Sequence, residues 1–204
     1  MSTIRAVVFD VGNVLLRWDP QAAFLPELGS RAAADAFMAR VDFHGWNRRN
    51  DGGRGREAAL AAVADPQDRS LLARYLDRFG QTIDQPVPGS WEIVQDLAAQ
   101  GTPLGAITNF SAHLWPEALR HYPALGRMFA PVVVSGTEGM LKPEPQIYRL
   151  FCARSGLAPS DCLFIDDSPA NVTGAQAVGM QAVHFTDAPS LRAALARAGV
   201  LPRR

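Results

Sequence analysis

Five short apolar runs, spaced by stretches with helical periodicity, limit what this chain can fold into more than any other feature. The runs cover residues 4–11, 103–108, 131–135, 162–165 and 181–185. The first is rich in β-branched residues and breaks at Gly12-Asn13, as a buried strand followed by a turn does. Helical spacing fills most of the intervening sequence, at 91–100, 113–121, 143–154 (opened by Pro143 and Pro145), 169–178 and 189–198. Strands alternating with helices of this length imply βαβ units. The pattern predicts a Rossmann-like α/β fold, a parallel sheet with helices on both faces. Apolar residues make up 48% of the 204, enough to bury a substantial core.

The alternation is broken once, after the first strand. Residues 19–88 are rich in Ala, Arg and Leu at helical spacing and contain no β-branched run. Asp19-Pro20 is a good N-cap and N1 pair, and further helices are expected over 31–41, 56–64 and 67–82. Asp-Phe-His-Gly-Trp-Asn at 42–47 reads as an aromatic loop punctuated by glycine, Gly52-Gly53 as a second loop, and Pro86-Val87-Pro88-Gly89 as a hinge. The expected organisation is a core domain of residues 1–18 and 89–204 carrying an all-helical insertion of residues 19–88.

Charge excludes several classes of partner. Twenty basic residues balance twenty acidic ones. No global field would recruit nucleic acid or an anionic membrane. Arg48, Arg49, Arg54 and Arg56 form a short cluster best read as a solvated surface. Cys152 and Cys162 have no metal-ligand spacing and read as buried, reduced thiols in unrelated surroundings. No apolar run approaches membrane-helix length, and no signal peptide is visible ahead of the first strand. A cytoplasmic protein, monomer or homodimer, is the expectation.

In an open parallel sheet, ligands bind beyond the carboxyl ends of the strands. Those ends read Phe9-Asp10-Val11-Gly12-Asn13, Ile107-Thr108-Asn109 and Phe164-Ile165-Asp166-Asp167-Ser168, with Gly139-Met140-Leu141-Lys142-Pro143 shortly after the third strand. Each piece alone has an ordinary explanation. Asp10 could be a turn residue or helix cap, Thr108-Asn109 loop chemistry, and Lys142 a solvated charge. Asp166-Asp167 is the most informative, because two adjacent carboxylates repel one another unless a cation sits nearby. Together, three carboxylates, a hydroxyl and an ammonium fit one site better than four coincidences.

This combination resembles the haloacid dehalogenase superfamily, whose four ordered motifs appear here in sequence. The resemblance covers nearly the whole chain, and the helical insertion sits where that family carries its cap. FDVGNVLLRWDP, ITNF, GMLKPEPQIY and FIDDSPAN look most like the branch holding epoxide-hydrolase N-terminal phosphatase domains and small bacterial sugar-phosphate phosphatases. The resemblance implies that Asp10 attacks phosphorus to form an aspartyl-phosphate. It implies Mg2+ held by Asp10, the Gly12 carbonyl and Asp167, with Asp166 behind it paired with Lys142, the order of the two acids staying open since either could reach the metal. Thr108 and Asn109 would bind phosphate oxygens, and Lys142 would neutralise nucleophile and transferring group. Asn171 could orient a carboxylate or cap the following helix.

One position departs from the superfamily's usual pattern. Most of its phosphatases carry a general acid two residues after the nucleophile, and here that residue is Gly12. His44, Asp51 and Asp19 are candidates for a replacement from the insertion, and His44 and Trp46 for substrate contact. The expected activity is hydrolysis of a small phosphorylated metabolite, with sugar phosphates among the candidates. The alternatives are a 2-haloacid dehalogenase, which the acidic pair argues against, and a phosphate-binding protein with little turnover.

Overall fold

The computed structural model describes residues 4–202. The described residues form seven strands: β1 Ala6–Phe9, β2 Leu16–Arg17, β3 Gln85–Pro86, β4 Leu104–Thr108, β5 Val132–Val134, β6 Cys162–Asp166 and β7 Gln181–His184. Five of them form one sheet in the order β5-β4-β1-β6-β7, parallel at every pairing. The strand pleat sorts β1 between two cores. Val7 and Phe9 enter a large apolar cluster on one face, and Val8 joins Ile107, Tyr148, Phe151 and Phe164 on the other. That alternation is the two-residue period of a strand covered on both sides. The expected α/β architecture is therefore the observed one.

β1 is the middle strand, and its neighbours β4 and β6 come from later in the chain on opposite sides. The carboxyl ends of these three strands meet where the connections diverge, which is where open α/β sheets place a ligand crevice.

Between Pro20 and Thr82 the chain is helical, as expected, but it differs in detail. Residues 42–47 do not form a loop. They open the helix Phe43–Asp51, capped by Asp42, whose carboxylate accepts the Gly45 N–H at 3.2 Å. Gly45 is there because a Cβ would collide with that carboxylate, 2.6 Å from its Cγ. The expected helix over 67–82 is two, Pro66–Asp77 and Phe79–Thr82. β2 and β3 pair antiparallel where the helical segment leaves and rejoins the sheet, so the anticipated hinge is a two-stranded ribbon. Phe79 and Phe110 pack edge to face at 5.3 Å, joining the helical segment to the end of β4.

The two cysteines are not in unrelated surroundings. Cys152, on the helix Pro145–Ser155, and Cys162, opening β6, are both buried free thiols in the same apolar cluster, and the Cys162 thiol donates to the Ala158 carbonyl at 3.7 Å. Among the described residues no helix is long and apolar enough to cross a membrane.

Gly174, on the helix Pro169–Ala177, allows the closest approach around the Lys142 loop. A Cβ there would lie 2.6 Å from the Pro143 carbonyl oxygen, whereas one on Gly12 would meet nothing within 4 Å. Gly174→Ala is expected to lower stability by about 1–3 kcal/mol through forced backbone displacement. Gly12→Ala should leave the denaturation midpoint near that of wild type. Equal midpoints for the two variants in a urea titration would contradict this packing.

Candidate functional site

Asp10 leaves the end of β1 with its backbone N–H donating to the Ile165 carbonyl at 2.8 Å, so it stays in register with β6. Its side chain is nearly buried, and Val11 N–H donates to Oδ1 at 2.7 Å. The chain then turns through Gly12 and Asn13, the latter in the left-handed region at φ 55°, which asparagine tolerates better than most residues. The Asn13 side chain holds the turn by accepting the Trp18 N–H at 3.1 Å.

Lys142 is the hub. Its ammonium lies 2.8 Å from Asp10 Oδ1 and 2.7 Å from Asp166 Oδ2, with no exposed surface. The loop that delivers it is fixed by Asn109. The Asn109 Oδ1 accepts the Lys142 N–H at 2.8 Å, and its Nδ2 donates to the Lys142 carbonyl at 3.1 Å. The sequence suggested only a backbone N–H role for Asn109, and nothing in its neighbours announces this clamp across 33 residues. Thr108, the last residue of β4, is almost fully buried beside it in sequence.

The two adjacent carboxylates have different surroundings. Asp166 is fully buried and accepts from Lys142, from Ser168 N–H at 2.8 Å and from Asn171 Nδ2 at 2.9 and 3.1 Å. Asn171 thus turns to the carboxylate and does not cap its helix. Asp167 is half-buried and has the Asn13 side chain as its hydrogen-bond donor. Oxygen atoms of Asp10, Asp166 and Asp167 all lie within 4.8 Å of one another. Three carboxylates against one ammonium leave the cluster short of positive charge. Burial pushes the Asp10 carboxyl up to about 7; Lys142 pulls it down, and Asp166 and Asp167 add to the rise. Burial, then the charge of Asp166, also raises Asp167. Burial alone would lower the Lys142 ammonium, but Asp10 and Asp166 overcome it and hold the lysine above its ordinary value.

A cavity of about 200 Å³ opens onto Asp10, Gly12 and Asp167. Its opposite walls come from Leu16, Trp18, Tyr75, Phe79, Ile83, Phe110 and Leu114, with Asn47, Asp51 and Ser111 as polar points. These walls were not singled out in the sequence, because Tyr75 and Phe79 are ordinary core residues by spacing until the fold brings them over Asp10. Two residues expected at the substrate are placed elsewhere. Trp46 is buried in the helical core, its Nε1 donating to the Ala59 carbonyl at 3.0 Å, because the helix that begins at Phe43 turns it inward. His44 is exposed and edges against Trp18 without lining the cavity. Asp19 pairs with Arg31 and is also off the cavity. Asp51 alone of the three replacement-acid candidates reaches it.

Comparison with known proteins gives the chain a family. The sequence model of the haloacid dehalogenase-like hydrolases matches residues 4–179. A sesquiterpene phosphatase of Aspergillus oryzae is 25% identical over 192 residues, covering 91% of this chain and 92% of that protein. Flavin mononucleotide hydrolase 1 of Arabidopsis thaliana is 33% identical over 112 residues, covering 55% of this chain and 45% of that protein, so the chain spans under half of that relative's length. Among solved structures, a HAD-like family hydrolase from Porphyromonas gingivalis superposes with a TM-score of 0.74 at 22% identity, over 96% of this chain and 97% of that one. With the family model spanning most of the sequence and the same fold in a solved member, this chain belongs to the haloacid dehalogenase-like hydrolases.

Proposed function

We propose that this hydrolase is a magnesium-dependent phosphatase that uses Asp10 as a covalent nucleophile. The observation that carries the reading is the buried excess of negative charge around Asp10, Asp166 and Asp167, which a hard dication would balance. The donors are all oxygen, the set that magnesium prefers. Asp10, Asp167 and the Gly12 carbonyl are the ligands we assign, because Asp166 already has its oxygens committed to Lys142, Ser168 and Asn171. When bound, magnesium draws charge from the phosphoryl oxygens and so lets an anionic nucleophile approach.

The chain's own residues do the rest. Val11 N–H and Lys142 both hold Asp10 Oδ1 and so fix the nucleophile's orientation. Lys142 offsets charge on Asp10 and on the transferring group, the electrostatic contribution that dominates phosphoryl transfer. Thr108 and the Asn109 backbone N–H serve the remaining phosphoryl oxygens, and the Asn109 side chain positions Lys142. Residues 19–88 act as a cap on a core of residues 1–18 and 89–204, covering the cavity and excluding water.

Within the small phosphorylated metabolites, the walls favour an ester with an apolar body over a bare sugar phosphate. A comparable cavity of about 150 Å³ lined by apolar side chains takes up benzene. The space here, walled by Trp18, Phe79, Ile83, Phe110 and Leu114, suits a group of that order beside the phosphate.

Release of inorganic phosphate from a panel of phosphomonoesters should require added Mg2+ and stop with excess EDTA or in Asp10→Asn. Turnover undiminished by EDTA would rule the proposal out. The electrostatics add a second expectation. The raised pKa of Asp10 means that the folded, metal-free protein binds this proton more tightly than the unfolded chain. Stability from that source is fully present below the ordinary value of 3.8 and is lost as pH rises through about 7. In EDTA, the melting temperature of Asp10→Asn relative to wild type should therefore increase between pH 5 and pH 8. A difference independent of pH would mean that Asp10 carries no such burden.

A further inference from the structure

We propose that Asp51 is the general acid and base of this enzyme, taking the place left empty by Gly12. The assignment rests on the phosphatase reading above and adds the source of the proton.

Four observations converge on Asp51. First, its carboxyl lines the same cavity as Asp10, although it comes from the end of the helix Phe43–Asp51. Second, the carboxyl is positioned. Asn47 Nδ2 donates to its Oδ2 at 2.9 Å, and the Ser111 N–H donates from the loop after β4. Asn47 is itself turned by Tyr75, whose hydroxyl donates to Asn47 Oδ1 at 3.3 Å while accepting from Trp18 Nε1 at 3.3 Å. Third, the backbone at Asp51 is tied to the core, because Ser135 Oγ donates to its carbonyl at 2.5 Å. The acid is therefore registered against the sheet that carries the nucleophile, which proton transfer in a transition state requires.

Fourth, Asp51 is in the correct protonation state. Burial raises its carboxyl to about 8, against Arg48 on its own helix; Asp10 adds to the rise and Lys142 opposes it from across the cavity. The carbonyl end of its helix further disfavours a negative charge there. At neutral pH it holds a proton to give. Other titratable groups on the cavity are spoken for. Asp10 and Asp167 have the roles assigned above, and the Tyr75 hydroxyl is moved further from neutrality by burial.

The step balances without any further reactant. As the Asp10 carboxylate bonds to phosphorus, the ester P–O bond breaks and the departing oxygen takes the Asp51 proton, leaving as a neutral alcohol. The Asp51 carboxylate then accepts a proton from the water that attacks the phosphoryl group on Asp10. Phosphate departs, the Asp10 carboxylate is restored and Asp51 is protonated again.

The test is the dependence of kcat/KM on leaving-group pKa, measured with Mg2+ over aryl and alkyl phosphomonoesters. Wild type should show a shallow dependence, since the acid relieves charge on poor leaving groups. Asp51→Asn should lose about 10²-fold or more on alkyl phosphates but under about tenfold on 4-nitrophenyl phosphate. Gly12→Asp, for which there is open space, should restore alkyl turnover in the Asp51→Asn background. A uniform loss on all esters, or a wild-type dependence already as steep as that of Asp51→Asn, would overturn the assignment. If Asp51→Asn fails to fold, a steep wild-type slope, or one that Gly12→Asp in the wild-type chain makes shallower, still overturns the assignment, because Asp51 then supplies no proton. Phosphate release surviving in Asp10→Asn would instead defeat the phosphatase reading, so the two failures are separable.

Discussion

The ammonium of Lys142, buried between Asp10 and Asp166, is the interaction on which the site depends. An ion pair without solvent gains little net stability, because desolvation consumes most of the Coulombic attraction. Its value here is geometric. One lysine, clamped through its backbone by Asn109, ties the carboxyl ends of β1, β4 and β6 into a single unit. Removing it would leave two buried carboxylates facing each other and a third beside them. The same charge imbalance that makes the metal-free cluster unfavourable would favour a dication there, so in the proposed mechanism the cost of folding and the capacity for chemistry share one source.

A division of labour follows from the fold. The sheet edge is polar, crowded and hydrogen-bonded, and in the proposed reaction it handles the phosphoryl group. The helical segment contributes the aromatic wall and, in the same proposal, a proton from Asp51. Nucleophile and acid thus sit on separate parts of the chain, joined by the β2–β3 ribbon, the Phe79–Phe110 contact and the Ser135–Asp51 hydrogen bond. With glycine at position 12, the proposed acid lies on the part of the molecule that also lines the cavity.

Much of this was legible in the sequence for physical reasons. Strand ends in a parallel sheet must converge, so Asp10, Thr108, Lys142 and Asp166-Asp167 could be assembled before any coordinates. Apolar runs of five or so residues flanked by turn signals located every strand of the main sheet. What the sequence hid depends on side-chain direction. Gly45 looked like loop punctuation, yet it makes room for the Asp42 cap and lets residues 43–51 form a helix. That helix buries Trp46 and exposes His44, so neither lines the cavity as expected, while it carries Asp51 there. The Asn109 clamp was equally invisible, since it joins residues far apart in sequence through tertiary packing, and the shared cluster of Cys152 and Cys162 forms only once the helix Pro145–Ser155 folds back on β6.

The proposed mechanism requires a dication among Asp10, Asp166 and Asp167. Isothermal titration of the metal-free protein with MgCl2 would detect it. Wild type is expected to bind one Mg2+ per chain in a saturable step that Asp167→Asn removes. Saturable binding undiminished in Asp167→Asn, or none at all in wild type, would contradict the account.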